Sequence, residues 1–365
     1  MLLTSELFFR FEPRFRTTTG VTANGQRFLS IPTEFAPYTD GFNKKKFRSE
    51  NLNTNAWGFR TLRELGEKQP DEKRIFVLGG SAAAGWGASH DNTTFPLITE
   101  KLLHQAGRSQ AFFFNAGVDG FNSNQEWVLM ATKIMDLKPD LVILFDGYND
   151  MHFSMRENWT ADYNIYSAQT LELMSFHPWY LHSALLSAIA NRTKEGRTRS
   201  KFVGKSGIYR PSYFDTYLRN ISKIAWAVRS QRGKTLVLLQ PHFLITERPL
   251  TEPEKLISKN GHDINMYTNY SELMVKHYRY AQTHMKRFSH NSAWEFQDSN
   301  QFFKNNTDTI FQDEVHLTDT GHSILASHLS KLILERNLLF SKVEESRCLS
   351  SIPLEVTGEI PNTPP

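Results

Sequence analysis

Short apolar runs separated by stretches of helical periodicity constrain the fold of this chain more than any other feature. The clearest runs lie at residues 74–79, 111–116, 141–145 and 235–239. They lack the alternation of apolar and polar residues that marks a strand with one solvent-exposed face. They are therefore typical of parallel strands that are covered on both sides. A weaker run at about 293–297 predicts a fifth strand. Helices are predicted at about 92–105, 123–137, 212–231, 267–288 and 318–336.

Strands that alternate with helices along a chain predict right-handed parallel crossovers. The sequence therefore predicts an α/β fold, with three α/β/α layers around a mainly parallel five-stranded sheet of the flavodoxin-like type. This domain is expected to span residues 74–340. Residues 1–73 are expected to form an irregular arm, 151–210 an insertion near the cleft, 242–265 a loop, and 341–365 a disordered tail.

Composition excludes several classes of protein. The chain has 365 residues and a net charge of +4, and its Lys and Arg residues are spread along it, so no nucleic-acid-binding stripe is predicted. The single cysteine, Cys348, excludes an intramolecular disulfide framework. His, Asp and Glu residues show no metal-ligand spacing, and no phosphate-binding glycine loop occurs, so no metal or cofactor is predicted.

The N-terminus leaves the compartment open between two alternatives. No run of about 18 apolar residues occurs, so no transmembrane segment is predicted in this chain. The first ten residues also lack the basic start and apolar core of a signal peptide. Taken as printed, the sequence predicts a cytoplasmic protein, whereas loss of an anchor ahead of residue 1 would place it in the cell envelope or periplasm.

A serine follows the end of the first predicted strand. Gly79 and Gly80 stop the apolar run, and Ser81 comes directly after them. Ligands bind at the carboxyl ends of strands in open α/β sheets. A serine at such an end can act as a nucleophile if a base reaches its hydroxyl.

Other polar segments fall where the remaining strands are expected to end. They are residues 115–123, 146–150, 240–242 and the segment 313–318 ahead of the last helix. Each segment alone is compatible with an ordinary turn. Together they place a nucleophile, a base, an orienting carboxylate and two oxyanion donors on one edge of one sheet.

The order of these residues resembles that of the SGNH/GDSL hydrolase superfamily across residues 74–336. Ser81 matches the serine of the first family block and Gly120 the glycine of the second. Asn149 matches the third block, and the last block is matched by Asp313 and His316 in an Asp-x-x-His spacing. The matching residues thus follow the family order along the chain.

The first block departs from the motif that gives the family its name. Gly80 stands where Asp is usual, and Ala82 and Ala83 stand where Ser and Leu would be. The resulting Gly-Gly-Ser variant resembles that of a bacterial branch acting near cell-surface polysaccharides. The same branch often carries a Gly-Phe-Arg element upstream, as at 58–60, and a Gln-Pro strand end, as at 240–241.

The resemblance implies a role for each matching residue. Ser81 Oγ attacks an ester carbonyl, His316 takes the hydroxyl proton, and Asp313 holds His316 in one tautomer. The oxyanion hole is formed by the backbone N–H groups of Ser81 and Gly120 and the side-chain amide of Asn149.

Three neighbouring aromatic or imidazole side chains are candidates for binding substrate. Trp86 and Tyr148 lie beside the matching residues in sequence, and His242 follows the Gln-Pro strand end. Core packing is the alternative for each. The aromatic residues of 159–180 are expected either to stack on a sugar or acyl group or to pack in a lid.

Three further polar residues are expected to act structurally. His322 is predicted to be a surface or packing residue of the last helix. Asp150 is predicted to brace the Asn149 turn, and Asp146 is predicted to be a turn residue.

The leading functional prediction is serine-dependent ester hydrolysis through an acyl-serine intermediate, acting on an O-acetyl or short acyl group of a carbohydrate. The first alternative is an O-acyltransferase, in which a sugar hydroxyl of a cell-surface polysaccharide intercepts the same acyl-serine. The second is a non-catalytic binding or assembly protein on this fold. The complete Ser, Gly, Asn, Asp and His set favours an enzyme, because a decayed site is expected to have lost a member.

Overall fold

A computed structural model describes part of the chain. The described residues are 19–21, 27–29, 31–34, 36, 38–39, 41–161, 205–261, 263–290 and 292–339. The predicted tail at 341–365 and most of the predicted insertion at 151–210 lie outside these residues, as does much of the N-terminal arm. Across the described segments, no helix is both long and apolar enough to cross a membrane.

The central sheet has five parallel strands. Its strands are β5 (Lys73–Gly79), β6 (Ala111–Asn115), β7 (Leu141–Asp146), β8 (Lys234–Leu239) and β9 (Glu295–Asp298). They lie in the order β6-β5-β7-β8-β9, which is 2-1-3-4-5 when numbered within the sheet, the flavodoxin-like arrangement. The structure therefore confirms the predicted fold class.

Helices cover both faces of the sheet. They are α1 (Ser81–Ala84), α2 (Phe95–Gln105), α3 (Ser123–Leu129), α4 (Tyr148–Ser154), α5 (Tyr213–Ser230), α6 (Glu252–Asn260), α7 (Tyr270–Ser289) and α8 (Asp319–Glu335). In β5, Phe76 and Leu78 face the layer that contains α3, α5 and α7. Ile75 and Val77 face the layer of α2 and α8. Alternate side chains of one strand thus enter two separate cores.

Two of the predicted elements differ in the structure. The predicted loop at 242–265 is wrong in part, because it contains helix α6. The predicted helix at 123–137 ends as an α-helix at Leu129 and continues as a π turn over Met130–Ile134 and a 3₁₀ turn over Met135–Leu137. Met130, Ile134 and Leu137 all remain buried, so the apolar pattern survives the change of helix type.

The N-terminal arm packs against the sheet through an aromatic turn. Its described strands are β1 (Thr19–Val21), β2 (Arg27–Leu29), β3 (Thr33–Glu34) and β4 (Phe42–Asn43), which form two antiparallel pairs. The Asn55 side chain accepts hydrogen bonds from the backbone N–H groups of Trp57 and Phe59 and closes the turn. The Phe59 ring stacks on Trp57 and meets Phe76 of β5 edge-on at 5.8 Å.

Candidate active site

Ser81 lies at the carboxyl end of β5, as the first residue of the single-turn helix α1. Because it opens a helix, its backbone N–H has no partner within that helix. Gly80 precedes it, and a Cβ atom at position 80 would lie 2.3 Å from Asn149 Nδ2. Glycine at this position therefore lets the Asn149 amide come close to the serine turn.

Ser81, His316 and Asp313 form a continuous hydrogen-bonded chain. The Nε2 atom of His316 lies 2.7 Å from Ser81 Oγ, and its Nδ1 atom lies 2.6 Å from Asp313 Oδ2. The other carboxylate oxygen of Asp313 accepts hydrogen bonds from the backbone N–H groups of Val315 and His316, at 3.0 and 2.8 Å. The tight turn from 313 to 316 thus fixes both the carboxylate and the imidazole.

The electrostatics of this chain favour a charged Asp313 and a basic His316. Burial alone would lower the pKa of His316, but the charge of Asp313 and the hydrogen bond to it raise that pKa above its ordinary value. Burial alone would raise the pKa of Asp313, but the imidazole and the backbone N–H groups hold it below the ordinary range. A charged carboxylate beside the Nδ1 atom leaves Nε2 free to accept a proton from a hydroxyl.

The loop after β6 lies against the serine turn. The backbone N–H of Val118 donates to Gly79 O at 3.0 Å, and the side-chain Nδ2 of Asn149 donates to Phe121 O at 2.6 Å. Gly120 lies between these two contacts and has a φ of +73°. The structure thus brings the two other matching residues, Gly120 and Asn149, to the same sheet edge as Ser81.

Trp86 lies directly beside the imidazole. The centres of the Trp86 and His316 rings are 5.1 Å apart and the ring planes are tilted by 34°. The indole is partly exposed to solvent. It therefore forms one wall next to the serine–histidine pair.

Tyr148 and His242 do not line an open cleft, which contradicts their prediction as substrate-binding residues. Tyr148 is 4% exposed and His242 is 0% exposed. The Tyr148 hydroxyl donates to Asp263 and lies 3.0 Å from the hydroxyl of Tyr270. The Nε2 atom of His242 lies 3.2 Å from the same Tyr270 hydroxyl. Both residues belong to a buried polar network behind the site.

His322, Asp150 and Asp146 have structural contacts. His322 is fully buried, and its Nδ1 atom accepts the Phe95 backbone N–H. Asp150 accepts two hydrogen bonds from Ser123, from the backbone N–H at 3.0 Å and the hydroxyl at 2.6 Å. It therefore links the segment that carries Asn149 to the start of α3. Asp146 ends β7, where it accepts a hydrogen bond from a buried tyrosine.

Two buried carboxylates that sequence reasoning missed hold the loop of Asp313 and His316. Glu254 of α6 accepts the backbone N–H groups of Ile310 and Phe311, at 2.9 and 3.0 Å. Glu314 lies within the loop itself and accepts the backbone N–H groups of residues 263 and 264. A signal for Glu254 was present in the sequence, because Thr251-x-x-Glu254 is a capping box that marks a helix start.

Comparison with known proteins gives likenesses at the level of solved structures. No protein-family model matches the sequence, and no curated protein matches it. A lipase/acylhydrolase from Enterococcus faecalis is 13% identical, with a TM-score of 0.41, over 72% of this chain and 96% of that one. A GDSL-like lipase from Bacteroides thetaiotaomicron is 14% identical, with a TM-score of 0.36, over 74% of this chain and 93% of that one.

An acetyl xylan esterase is also 14% identical, with a TM-score of 0.37, over 71% of this chain and 99% of that one. Within the described residues, no group of three or more His, Cys, Asp or Glu side chains could hold a metal ion.

Proposed function

We propose that this chain is a serine-dependent carboxylic ester hydrolase of the SGNH/GDSL type. The observation that carries the proposal is the continuous chain from Ser81 Oγ to His316 Nε2 at 2.7 Å and from His316 Nδ1 to Asp313 at 2.6 Å. A serine hydroxyl is a weak nucleophile until a base within hydrogen-bond distance removes its proton. This geometry supplies that base and the carboxylate that orients it.

In the first half of the reaction, His316 removes the proton of Ser81 as Oγ attacks the carbonyl carbon of the ester. The resulting imidazolium is stabilised by Asp313, whose charge is retained because its pKa is held low. The tetrahedral intermediate then collapses. His316 gives its proton to the leaving alcohol, and the acyl group stays on Ser81 as an ester.

Negative charge on the carbonyl oxygen of the intermediate requires fixed donors. We assign these to the backbone N–H groups of Ser81 and Gly120 and to the amide of Asn149. The Asn149 amide carries two hydrogens, and its bond to Phe121 O uses one of them. The second hydrogen remains for the oxyanion, while the first fixes the orientation of the amide.

In the second half, water replaces the alcohol. His316 takes a proton from the water, the hydroxide attacks the acyl-serine, and the carboxylic acid leaves while Ser81 recovers its proton. Each step uses the same base and the same oxyanion donors. A sugar hydroxyl in place of water would give acyl transfer by the same chemistry.

For the substrate we propose a short acyl ester of a carbohydrate alcohol. Trp86 supports this choice, because a partly exposed indole beside the catalytic base offers an apolar face to a sugar ring or a short acyl group.

The test is a panel of p-nitrophenyl esters from acetate to laurate, with wild type and Ser81→Ala side by side. The proposal expects release of p-nitrophenol by wild type, greatest with the short acyl chains, and none above background by Ser81→Ala. A sugar acceptor added to the acetate assay separates hydrolysis from transfer, because transfer yields an acetylated sugar. A folded wild type that cleaves no ester and acetylates no sugar would contradict the proposal.

A further inference from the structure

A buried arginine of the N-terminal arm reaches the underside of the serine turn. Arg60 is 3% exposed, and its Nη1 atom donates to Ala84 O at 3.0 Å and to Gly85 O at 2.8 Å. Ala84 is the last residue of helix α1 and Gly85 is its C-cap, and the first residue of the same helix is Ser81. Carbonyls at a helix end have no partner within the helix and must be satisfied from outside.

Arg60 is the hydrogen-bond partner of Ala84 O, whereas Gly85 O also accepts the backbone N–H of Ala88 at 3.1 Å. The backbone N–H of Gly85 donates to Ala82 O at 3.2 Å, and that of Trp86 donates to Ser81 O at 3.0 Å. These bonds close the turn around the serine itself. A Cβ atom at position 85 would lie 2.8 Å from Arg60 Nη1, so glycine at this position lets the guanidinium approach the backbone.

A buried carboxylate fixes the guanidinium in turn. Arg60 Nε donates to Asp91 Oδ1 at 2.8 Å, and the other Asp91 oxygen accepts the side-chain amide of Asn53 at 2.9 Å. Asp91 itself is 4% exposed. The planar fork of an arginine can bond a carboxylate and two carbonyls at once, which the single ammonium of a lysine cannot reproduce.

The backbone N–H of Arg60 also bonds the end of the strand that leads into the Gly120 loop. The Arg60 N–H donates to Asn115 O at 2.8 Å, at the end of β6 and ahead of the loop that carries Gly120. One residue of the arm therefore touches both segments that we assign to the oxyanion hole. It contacts neither Ser81 Oγ nor His316 through any of these bonds.

We propose that Arg60 is a positioning residue for Ser81, and that the arm is consequently part of the active site. The inference rests on the proposed function, since Ser81 needs positioning only if it is the nucleophile. Arg60 sets the position of the turn that carries Ser81 relative to His316. A displacement of about 1 Å between reacting groups is enough to reduce turnover about 10²-fold.

The chain offers a matched control for this proposal. Arg74 is also 3% exposed, bonds the carboxylate of Glu72, and donates to Leu137 O and Gly66 O. It lies at the opposite end of β5, about 20 Å from Ser81 along the strand. Replacing either arginine removes a buried charge of the same kind, so both changes are expected to lower thermal stability.

The experiment compares Arg60→Met with Arg74→Met on the most rapidly cleaved p-nitrophenyl ester, below the melting temperature of both variants. Arg60→Met is expected to lower kcat about 10²-fold with little change in KM, whereas Arg74→Met keeps the wild-type kcat. Arg60→Lys, which retains the charge, serves if the methionine variant does not fold, and it is also expected to lower kcat. A folded Arg60 variant with wild-type kcat, or an equal loss in Arg74→Met, overturns the proposal.

A second readout does not depend on turnover. Crystal structures of the two variants are expected to show the Ser81 Oγ to His316 Nε2 distance beyond about 3.2 Å in Arg60→Met and unchanged in Arg74→Met. If wild type cleaves no ester, the proposed function fails, and this distance still decides whether Arg60 positions Ser81. An unchanged distance in Arg60→Met overturns the proposal.

Discussion

The Nε2 atom of His316 lies 2.7 Å from Ser81 Oγ, although the two residues are separated by 235 positions in the chain. Ser81 follows β5 directly, and His316 precedes α8, whose N-cap is Thr318. The pair forms because the carboxyl ends of all five parallel strands meet at one edge of the sheet. The proposed chemistry is therefore a property of the assembled sheet rather than of any local segment.

Asp313→Asn is expected to lower kcat about 10³- to 10⁴-fold while the protein stays folded. The amide keeps the shape of the carboxylate but neither stabilises the imidazolium nor fixes the required tautomer of His316. Steady-state kinetics with circular dichroism as the folding control measures this effect. A decrease of only a few fold would show that Asp313 does not orient the base.

The pH dependence of kcat/KM is expected to follow the deprotonation of His316. The base acts only when neutral, and the neighbouring carboxylate raises its pKa above the ordinary 6.5. Activity should therefore rise with pH through a midpoint above 6.5 in wild type.

NMR titration of the His316 ring tests the cause of this shift. Asp313→Asn removes the charge that raises the pKa, so burial should then lower the midpoint. A midpoint that does not move, or that moves upward, would show that Asp313 is not the cause.

Much of the fold followed from patterns that are local in sequence. The apolar run 74–79 and the glycines after it predicted β5 and its end correctly, because a strand buried on both faces needs a continuous apolar stretch. Ser81, Asn149 and His316 could also be placed at one edge of the sheet, because the carboxyl ends of parallel strands meet there and each residue lies in a segment that follows a strand. Their mutual distances, which make them a site, depend on how segments far apart in the sequence pack together.

Other features depend on contacts that sequence patterns do not encode. His242 follows a strand end, as a cleft residue would, but the packing of tyrosines around it buries it completely. Arg60 belongs to the Gly-Phe-Arg element seen in the sequence, but only the fold shows that it is buried against the serine turn. Helix α6 was missed because Ile257 is its only fully buried apolar residue, although its capping box was visible.

Asn149→Ala is expected to lower kcat about 10²- to 10³-fold with a smaller change in KM. The change removes one oxyanion donor and also the bond to Phe121 O that fixes the loop. Asn306→Ala, at an exposed turn, is the control and should leave kcat unchanged. Equal loss of kcat in the control, or a wild-type kcat in Asn149→Ala, would remove Asn149 from the oxyanion hole.

Glu254→Ala is expected to lower the free energy of unfolding by about 3–5 kcal/mol, because it leaves Arg248 as an unpaired buried charge. Both side chains of this ion pair are 0% exposed. Glu252→Ala on the same helix removes a solvent-exposed pair with Lys255 and should leave stability unchanged. Urea unfolding compares the two variants. Equal stability of both would show that the buried pair does not hold the loop.

The most direct test of the account is covalent labelling of the nucleophile. Wild type is incubated with diethyl p-nitrophenyl phosphate, which forms a stable ester with an activated serine, and the modified peptide is identified by mass spectrometry. The account predicts one diethylphosphoryl group on the peptide that contains Ser81, and none on Ser81→Ala. An adduct on another residue, or no adduct on a folded protein that hydrolyses esters, would contradict it.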